Sequence, residues 1–409
     1  MTSESPAISV RSRLNLSRGK DPVVLLAALG ILSAVSPLAT DMYLASMPAM
    51  AEYFDTSASA VQLTLTAYMV GMAVGQFLLG PISDVLGRHR LMAAGNVLFL
   101  LSSVAVILVP TIEAVMALRI LQGLSGAAGV VIARAVVTDI ASGRKAAKLF
   151  SVLAMITSLA PVVAPLLGGV IASVAPWQAV FWVLAGFGLV MLACTVFVVP
   201  ETLPRAKRHR GGLATVAANS WKVLRTPSFM AYALTFGFAF SALFSYISAS
   251  AFVVQNVLGF SALGYSFVFA ANAAGSIVTA IVNTRLVDRI DPGRILRTAI
   301  VAMFLVNAAG LVLVLAGISG WPTLLHLFAS QACLGFIFGN ATALAQGRVP
   351  ERAGAGSAVL GLLQFVLGGI ASPLTGIAGQ HTAVPMALSM AICSALALAA
   401  ALAARRLSR

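Results

Sequence analysis

The sequence predicts an all-α integral membrane protein with twelve transmembrane helices, arranged as two pseudo-symmetric six-helix bundles. Three observations predict it: long apolar runs, basic residues that alternate between the runs, and a motif that recurs half a chain later. Hydrophobic residues make up 60% of the 409 residues and charged residues only 9%, whereas a soluble domain carries about 25% charged residues. A chain with so few charges cannot cover a surface in water, so lipid must surround it.

Twelve apolar runs are each long enough to cross a bilayer, which takes about twenty apolar residues in a helix. The first run is too long for the core of a signal peptide, so helix 1 is expected to remain in the protein. We predict a tail over 1–21, a first bundle over 22–199, a linker over 200–227, a second bundle over 228–404 and a tail over 405–409. The predicted helices 1 to 12 lie near 22–47, 60–83, 91–110, 112–136, 147–172, 177–199, 228–255, 262–284, 295–318, 322–346, 353–379 and 383–404.

The basic residues predict the orientation of these helices. Of the 26 Lys and Arg residues, 24 lie in the two tails and in every second connection, whereas the alternate connections hold none. Because positively charged segments remain in the cytoplasm, we predict a bacterial inner-membrane protein with both termini in the cytoplasm. The net charge of +14 does not predict nucleic-acid binding, since the basic residues form short clusters and not one groove-sized face.

The two halves of the sequence resemble each other. Helix 2 leads into a polar segment that begins at Gly80 and contains Asp84, and helix 8 leads into a similar segment around Asp288. The two aspartates are 204 residues apart, which is half the chain. A duplicated six-helix unit predicts a binding site between the halves near mid-membrane, with access to its two sides alternating as the halves rock.

Asp41 is the one acidic residue of twelve that lies well inside an apolar run with no basic residue beside it. A charge at the bilayer centre costs roughly 2.5–3.5 kcal/mol on insertion scales, so such a residue is a candidate for function. Arg119 of helix 4 falls at a similar depth, roughly 9–11 Å below the outer boundary from the helical rise per residue. We predict that the two interact. The alternatives are a solvated Asp41 near the outer helix end, six residues away, and a salt bridge with a structural role only.

Aromatic and uncharged polar residues on the predicted helices are candidates for a pocket, which should be largely apolar with a few polar groups. The substrate-binding candidates are Tyr43, Tyr68, Phe236, Phe240, Asn272, Asn340 and Gln364. The spacing of the two phenylalanines on one helix face also fits simple packing. The amides also fit hydrogen bonds between helices, so these alternatives stay open.

Recognisable motifs are concentrated in the first half of the chain. They are Thr40–Leu44, Gln62–Thr64, Gly80–Arg90, Leu118–Gly123, Ala133–Asp139, Pro161, Pro165–Gly169 and Pro200–Thr202. Together they resemble the major facilitator superfamily and, more narrowly, its drug:proton antiporters of the Bcr/CflA-like (bicyclomycin and chloramphenicol resistance) group. The sequence departs from the usual pattern at Val85 and His89, which removes one expected ion pair, and at Ala164, where a glycine is common.

The resemblance implies the major facilitator fold and roles for three sets of residues. Asp41 and Arg119 are implied in proton coupling. A cytoplasmic gate is expected from Gly80, Asp84, Gly87, Arg88, Arg90, Arg134 and Asp139, unless these residues only set the topology. Helix 5 is expected to act as the antiporter helix through Pro161, Pro165, Gly168 and Gly169. Since proline bends a helix and glycine permits close contact, we expect this helix to seal against helix 8.

The predicted function is proton-driven efflux of a small lipophilic, drug-like molecule such as an antibiotic, by a chain that works as a monomer in the bilayer. The alternative is a major facilitator carrier for a metabolite, by export or uptake, with no drug role. No H-E-x-x-H, G-x-S-x-G or Walker A motif stands in a suitable context, so an enzyme or an ATP-driven pump is not expected. No cofactor or metal is expected either.

Overall fold

A computed structural model describes residues 22–141, 143–204, 208, 218 and 220–407 of the chain. Within these residues the regular structure is helical throughout, with no strand. The predicted tail 1–21, most of the linker between 205 and 219, and the last two residues lie outside the described part. The side chains of the predicted basic cluster at 144–148 lie outside it as well.

The fold prediction is confirmed, because twelve of the described helices are long and apolar enough to cross a membrane. Helix 1 spans Val23–Tyr53. Helices 2 to 12 are Ala58–Leu86, Arg88–Leu108, Ile112–Ile140, Gly143–Val174, Gln178–Phe197, Pro227–Phe252, Ala262–Leu286, Pro292–Leu315, Trp321–Gln346, Ala353–Leu374 and Val384–Leu407. Helix 7 continues through a π-helical turn over Val253–Val257.

Helix 1 is irregular, and this irregularity corrects the predicted depth of its carboxylate. The helix runs over Pro22–Ser33 and Val35–Asp41, tightens to a 3₁₀ turn at Leu44–Ser46, and resumes over Met47–Tyr53. Pro48 stands in the first turn of the last segment, where its missing N–H breaks no helical hydrogen bond. Helix 1 therefore ends at Tyr53 and not at the predicted residue 47. Asp41 lies twelve residues before the end of the helix instead of six.

The chain crosses an even number of times, so Pro22 and Leu407 lie at the same end of the bundle, here called the terminal side. The opposite end is the distal side. Within the first half, helices 2 and 4 approach with their backbones in contact, because Gly123 faces the carbonyl oxygen of Tyr68 with no side chain between them. The two halves meet along helices 2 and 11 and along helices 5 and 8.

Four hydrogen bonds between described residues join the two halves, and all four lie in the distal half of their helices. Ser59 Oγ donates to the carbonyl of Pro373 at 3.0 Å, and Thr66 Oγ1 donates to that of Gly369 at 3.1 Å. The other two are Thr375 Oγ1 to Gln62 Oε1 at 3.2 Å and Gln255 Nε2 to the Ala45 carbonyl at 3.1 Å. We call this set the distal seal.

Candidate functional site

A cavity of about 500 Å³ lies between the two halves. Its wall is formed by helices 1, 5, 7, 8 and 10 and is mainly apolar. The cavity extends from Asp41 to Thr284, which is two residues from the terminal end of helix 8. Its polar wall residues are Asp41, Ser158, Tyr246, Asn272, Ser276, Asn283, Thr284 and Gln331. The cavity lies at the interface between the halves, where the internal repeat predicts a binding site.

Asp41 is the only acidic or basic side chain among the described residues that line this central cavity. It ends the second segment of helix 1 and is only 6% exposed. The Thr40 hydroxyl donates to its Oδ1 at 2.8 Å. The alternative of a solvated carboxylate at the helix end is therefore wrong for this conformation, since Asp41 is buried and faces the cavity.

Arg119 is fully buried, but it does not form the predicted ion pair with Asp41 among the described contacts. Its Nη1 donates to Gln122 Oε1 at 2.6 Å, and its Nη2 donates to the carbonyl oxygen of Ala39 at 3.0 Å. The amide of Gln122 in turn donates to Ser103 Oγ at 2.7 Å. The predicted ion pair assumed that Asp41 and Arg119 lie at equal depth, which the longer helix 1 overturns. Nearness along two helices also does not fix the direction in which each side chain points.

Tyr43 and Tyr68, predicted to bind substrate, surround this arginine instead of lining the cavity. The guanidinium carbon of Arg119 lies 4.4 Å from the ring centre of Tyr43 and 4.5 Å from that of Tyr68. Such cation–π contacts stabilise a buried cation. The Tyr43 hydroxyl also lies 3.3 Å from Thr64 Oγ1. The two rings therefore hold Arg119 in place.

The remaining substrate-binding candidates divide into two groups. Asn272 lines the cavity, where it donates to the Tyr246 hydroxyl at 2.8 Å. Asn340 lies behind the wall and donates to Asn283, which does line the cavity, at 2.8 Å. Phe236, Phe240 and Gln364 are not among the lining residues, and the two phenylalanines stack on each other with centroids 6.4 Å apart.

Ser158, Ser276, Asn283 and Gln331 line the cavity and were missed as candidates. Each is a polar residue inside an apolar helix, which is the signal that would have found it. Among the described residues, no group of three His, Cys, Asp or Glu side chains could hold a metal ion.

The predicted gate residues form a network at the terminal side, here called the terminal network. Arg88 Nη2 lies 2.7 Å from Asp84 Oδ1, and its Nε lies 3.2 Å from Asp139 Oδ2. Arg88 also donates to the hydroxyl of Ser83. The network ties helices 2, 3 and 4 together and stays within the first half of the chain.

The end of helix 6 completes the terminal network. The backbone N–H of Arg88 donates to Glu201 Oε1 at 3.0 Å, and Thr202 Oγ1 donates to Asp139 Oδ2 at 2.7 Å. Gly87 precedes Arg88 with φ of +99°, which side chains disfavour. Arg90 and Arg134 are exposed and join no ion pair with a described residue, so the structure places them outside the network. Gly80 packs towards helix 4.

Helix 5 makes two close contacts near its distal end. A methyl group placed on Gly169 would overlap the hydroxyl of Ser266, so helix 5 packs closely against helix 8 at this point. A methyl group placed on Gly168 would overlap the carbonyl oxygen of Met42 on helix 1, a contact that was not expected. Pro165 is buried, and Pro161 lines the central cavity.

Comparison with known proteins relates the chain to a large group of carriers. The sequence pattern of the Major Facilitator Superfamily matches residues 29–373. The chain is 37% identical to the MFS-type transporter YdgK of Bacillus subtilis, over 91% of this chain and 93% of YdgK. It is 30% identical to a bicyclomycin resistance protein homologue of Haemophilus influenzae, over 92% and 95% of the two chains. It is 29% identical to the multidrug resistance protein MdtL of Escherichia fergusonii, over 80% and 82%.

Solved structures agree at the level of the fold. A bacterial homologue of the human lysosomal transporter Spinster superimposes with a TM-score of 0.74 at 16% identity, covering 96% of this chain and 98% of the other. A D-xylose–proton symporter superimposes with a TM-score of 0.72 at 18% identity, covering 93% and 96%. The twelve apolar helices, their arrangement in two halves and these matches lead to one conclusion: the chain belongs to the Major Facilitator Superfamily and is a multi-pass membrane transporter.

Proposed function

We propose that the chain is a proton-driven efflux antiporter for small lipophilic, drug-like molecules. The observation that carries the proposal is the position of Asp41, a single carboxylate on the wall of a central cavity that holds no other full charge among its described residues. A carboxylate in that position can hold either a proton or a weakly cationic substrate. Because the proton and the substrate cannot occupy the carboxylate at the same time, binding of one displaces the other. An exchange of one for the other requires this competition.

The rest of the wall supports a neutral or weakly cationic substrate. Phe269, Phe338 and Tyr246 offer apolar and aromatic surface, while Asn272 and Gln331 offer amide groups. Pockets for drug-sized ligands have this composition, with a few polar groups to orient the ligand. Two relatives bear the names bicyclomycin resistance protein homologue and multidrug resistance protein, which favours a drug-like substrate over a polar one.

In the proposed cycle Arg119 keeps its charge close to Asp41 without neutralising it. Its hydrogen bond to Ala39 holds the cation two residues from the carboxylate along helix 1. The terminal side faces the cytoplasm of a bacterial inner membrane, and the distal seal closes the cavity to the outside. A substrate that binds in the cavity displaces the proton of Asp41 to the terminal side, and the halves then rock to open the distal side. There the substrate leaves, and Asp41 takes up a proton before the halves return. A single chain performs the cycle.

A metabolite carrier is the second candidate function, favoured by one specific observation. Asn272, Asn283 and Gln331 present three amides to the cavity, and amides can bind the hydroxyl groups of a polar solute. This candidate predicts transport of a hydrophilic metabolite and no response to lipophilic drugs.

The test uses everted membrane vesicles with an acid interior and a fluorescent pH probe. Chloramphenicol, followed by a small panel of lipophilic drugs, is added to the wild type and to Asp41→Asn at matched expression. We expect drug-triggered proton loss from the wild type and none from the variant, because Asn cannot carry the exchanged proton.

Glu52→Gln is the matched control, since Glu52 is an exposed carboxylate on the same helix. We expect this control to behave as the wild type. Proton loss that persists in Asp41→Asn would contradict the role of Asp41. Absence of any drug response in the wild type, together with proton-coupled movement of a metabolite, would contradict drug export.

A further inference from the structure

A second cavity of about 310 Å³ lies beside the contact between helices 2 and 11. Every residue that lines it is apolar: Val70, Ala73, Val74, Phe77, Leu78, Leu362, Phe365 and Val366. We call it the lateral groove. It begins one helical turn on the terminal side of the hydrogen bond between Thr66 and Gly369 that forms part of the distal seal.

The lateral groove faces the lipid and not the interior of the bundle. Val70, Val74 and Val366 are each 44–45% exposed. On the other flank of helix 2, Met69 and Met72 are buried. In a chain that spans a membrane, exposed apolar side chains at this depth contact acyl chains. The groove is therefore open to the hydrocarbon part of the bilayer.

One aromatic ring links a wall residue of the lateral groove to a wall residue of the central cavity. Phe365 lines the groove, and Phe338 lines the cavity. Both contact Phe240, with ring centroids 6.3 Å and 6.1 Å from it. The ring of Phe240 lies against Gly368 of helix 11, where an added methyl group would be 3.1 Å from it. Three rings in contact therefore connect the wall of the lateral groove with the wall of the central cavity.

We propose that the lateral groove admits lipophilic ring compounds from the bilayer to the central cavity, with Phe240 as the gate between them. The inference rests on the proposed function and adds a route for its substrate. A lipophilic compound is concentrated in the hydrocarbon part of the bilayer. Its transfer from lipid to an apolar groove costs little free energy, and stacking on aromatic faces adds an attraction. Compounds that partition only weakly into the bilayer gain little from this wall and reach the cavity from the terminal side.

The first experiment narrows the groove from its lipid side. Val74→Trp fills it without touching the central cavity. Val301→Trp on helix 9 is the matched control, because Val301 is 41% exposed and lies outside the groove. The probes are tetraphenylphosphonium, which partitions strongly into bilayers, and chloramphenicol, which partitions less. The concentration of each probe is varied, and drug-triggered proton loss from everted vesicles is measured at each concentration.

We expect Val74→Trp to raise the half-saturating concentration of tetraphenylphosphonium about tenfold, equivalent to about 1.4 kcal/mol. Its maximal rate, the chloramphenicol curve and the Val301→Trp control should not change. An equal effect on both probes, or no effect on either, would overturn the lateral route.

The second experiment is independent of proton exchange. Benzoylphenylalanine replaces Val366 in the groove or Val301 outside it, and membranes are irradiated with tritiated tetraphenylphosphonium. We expect saturable labelling at 366 that Val74→Trp reduces, and none at 301. A phospholipid adduct at 366 without a drug adduct would show that the groove binds lipid and would contradict the proposal. If the wild type shows no proton loss with any drug, the proposed function fails while this labelling still decides the groove.

Discussion

Arg119 donates a hydrogen bond to the carbonyl oxygen of Ala39 at 3.0 Å, which ties helix 4 to helix 1 two residues before Asp41. The cation is thus held by neutral partners, namely a carbonyl, the amide of Gln122 and two tyrosine rings. The guanidinium is planar and donates in two directions at once. A lysine ammonium cannot reproduce that geometry.

Replacement of Arg119 by Lys should therefore destabilise the first half even though the charge is kept. Loss of one hydrogen bond from a charged donor costs about 1.5–3 kcal/mol, so the thermal midpoint of the purified protein should fall. The measurement is size-exclusion chromatography after heating in detergent. Arg225→Lys, at an arginine that lies over the Trp221 ring, serves as the control. A midpoint unchanged in Arg119→Lys would show that charge alone is needed.

Gly168→Ala should lower thermal stability and transport far more than Gly186→Ala does. A methyl group at 168 meets the backbone of Met42, which cannot turn aside, whereas Gly186 has open space around its Cα. Overpacking of this kind costs about 1–3 kcal/mol and should force helix 5 away from helix 1. Thermal stability and transport of both variants are compared. Wild-type behaviour of Gly168→Ala would mean that this close contact is not needed in any step.

Arg88→Ala should disrupt the terminal network, whereas Arg90→Ala should not. Removal of the guanidinium leaves Asp139, whose side chain is 17% exposed, with Thr202 as its remaining described partner. We expect a loss of about 2 kcal/mol, mostly from Asp139, because Asp84 is 47% exposed and water screens its charge. Unfolding by heat and transport rate are the two readouts. Equal effects of the two alanine variants would contradict the network.

Thr66→Val should weaken the distal seal, because it removes the hydroxyl that bonds to Gly369 and leaves that carbonyl without this donor. A single cysteine in place of Ser46, which is buried beside the Ala45 carbonyl of the seal, should then be labelled faster by a membrane-impermeant maleimide, once the three native cysteines are replaced. Thr138→Val is the control, since the Thr138 hydroxyl bonds only within its own helix. A labelling rate that Thr66→Val leaves unchanged would argue against a role for this bond in closure.

The sequence was sufficient to predict the twelve helices, since apolar length and the alternation of basic residues are properties of the chain itself. It also located the terminal network, because Asp84, Arg88 and Asp139 lie at helix ends where charges are expected. It could not predict that Arg119 points to Ala39 and Gln122. That direction depends on the rotation of helix 4 and on the broken geometry of helix 1, and both follow from packing between distant segments.

The substrate-binding candidates show the same limit. An aromatic residue inside an apolar helix can line a cavity, support another residue or pack against a neighbouring helix. Tyr68 holds Arg119, Phe240 packs against a ring of each cavity wall, and Asn272 faces the central cavity. Their residue types do not distinguish these positions. Only the angular position of each residue on its helix, relative to the opposite half, separates them.

The distal seal consists of neutral hydrogen bonds, three of which end on backbone carbonyls. No charge moves when they part, and water can replace every donor and acceptor, so each contributes only about 0.5–1.5 kcal/mol. The membrane voltage acts on charges, and dissolved salt screens charges. The contacts that join the two halves on the distal side are therefore electrically silent, and any effect of voltage on the protein must act through charged side chains elsewhere, such as Asp41 and Arg119.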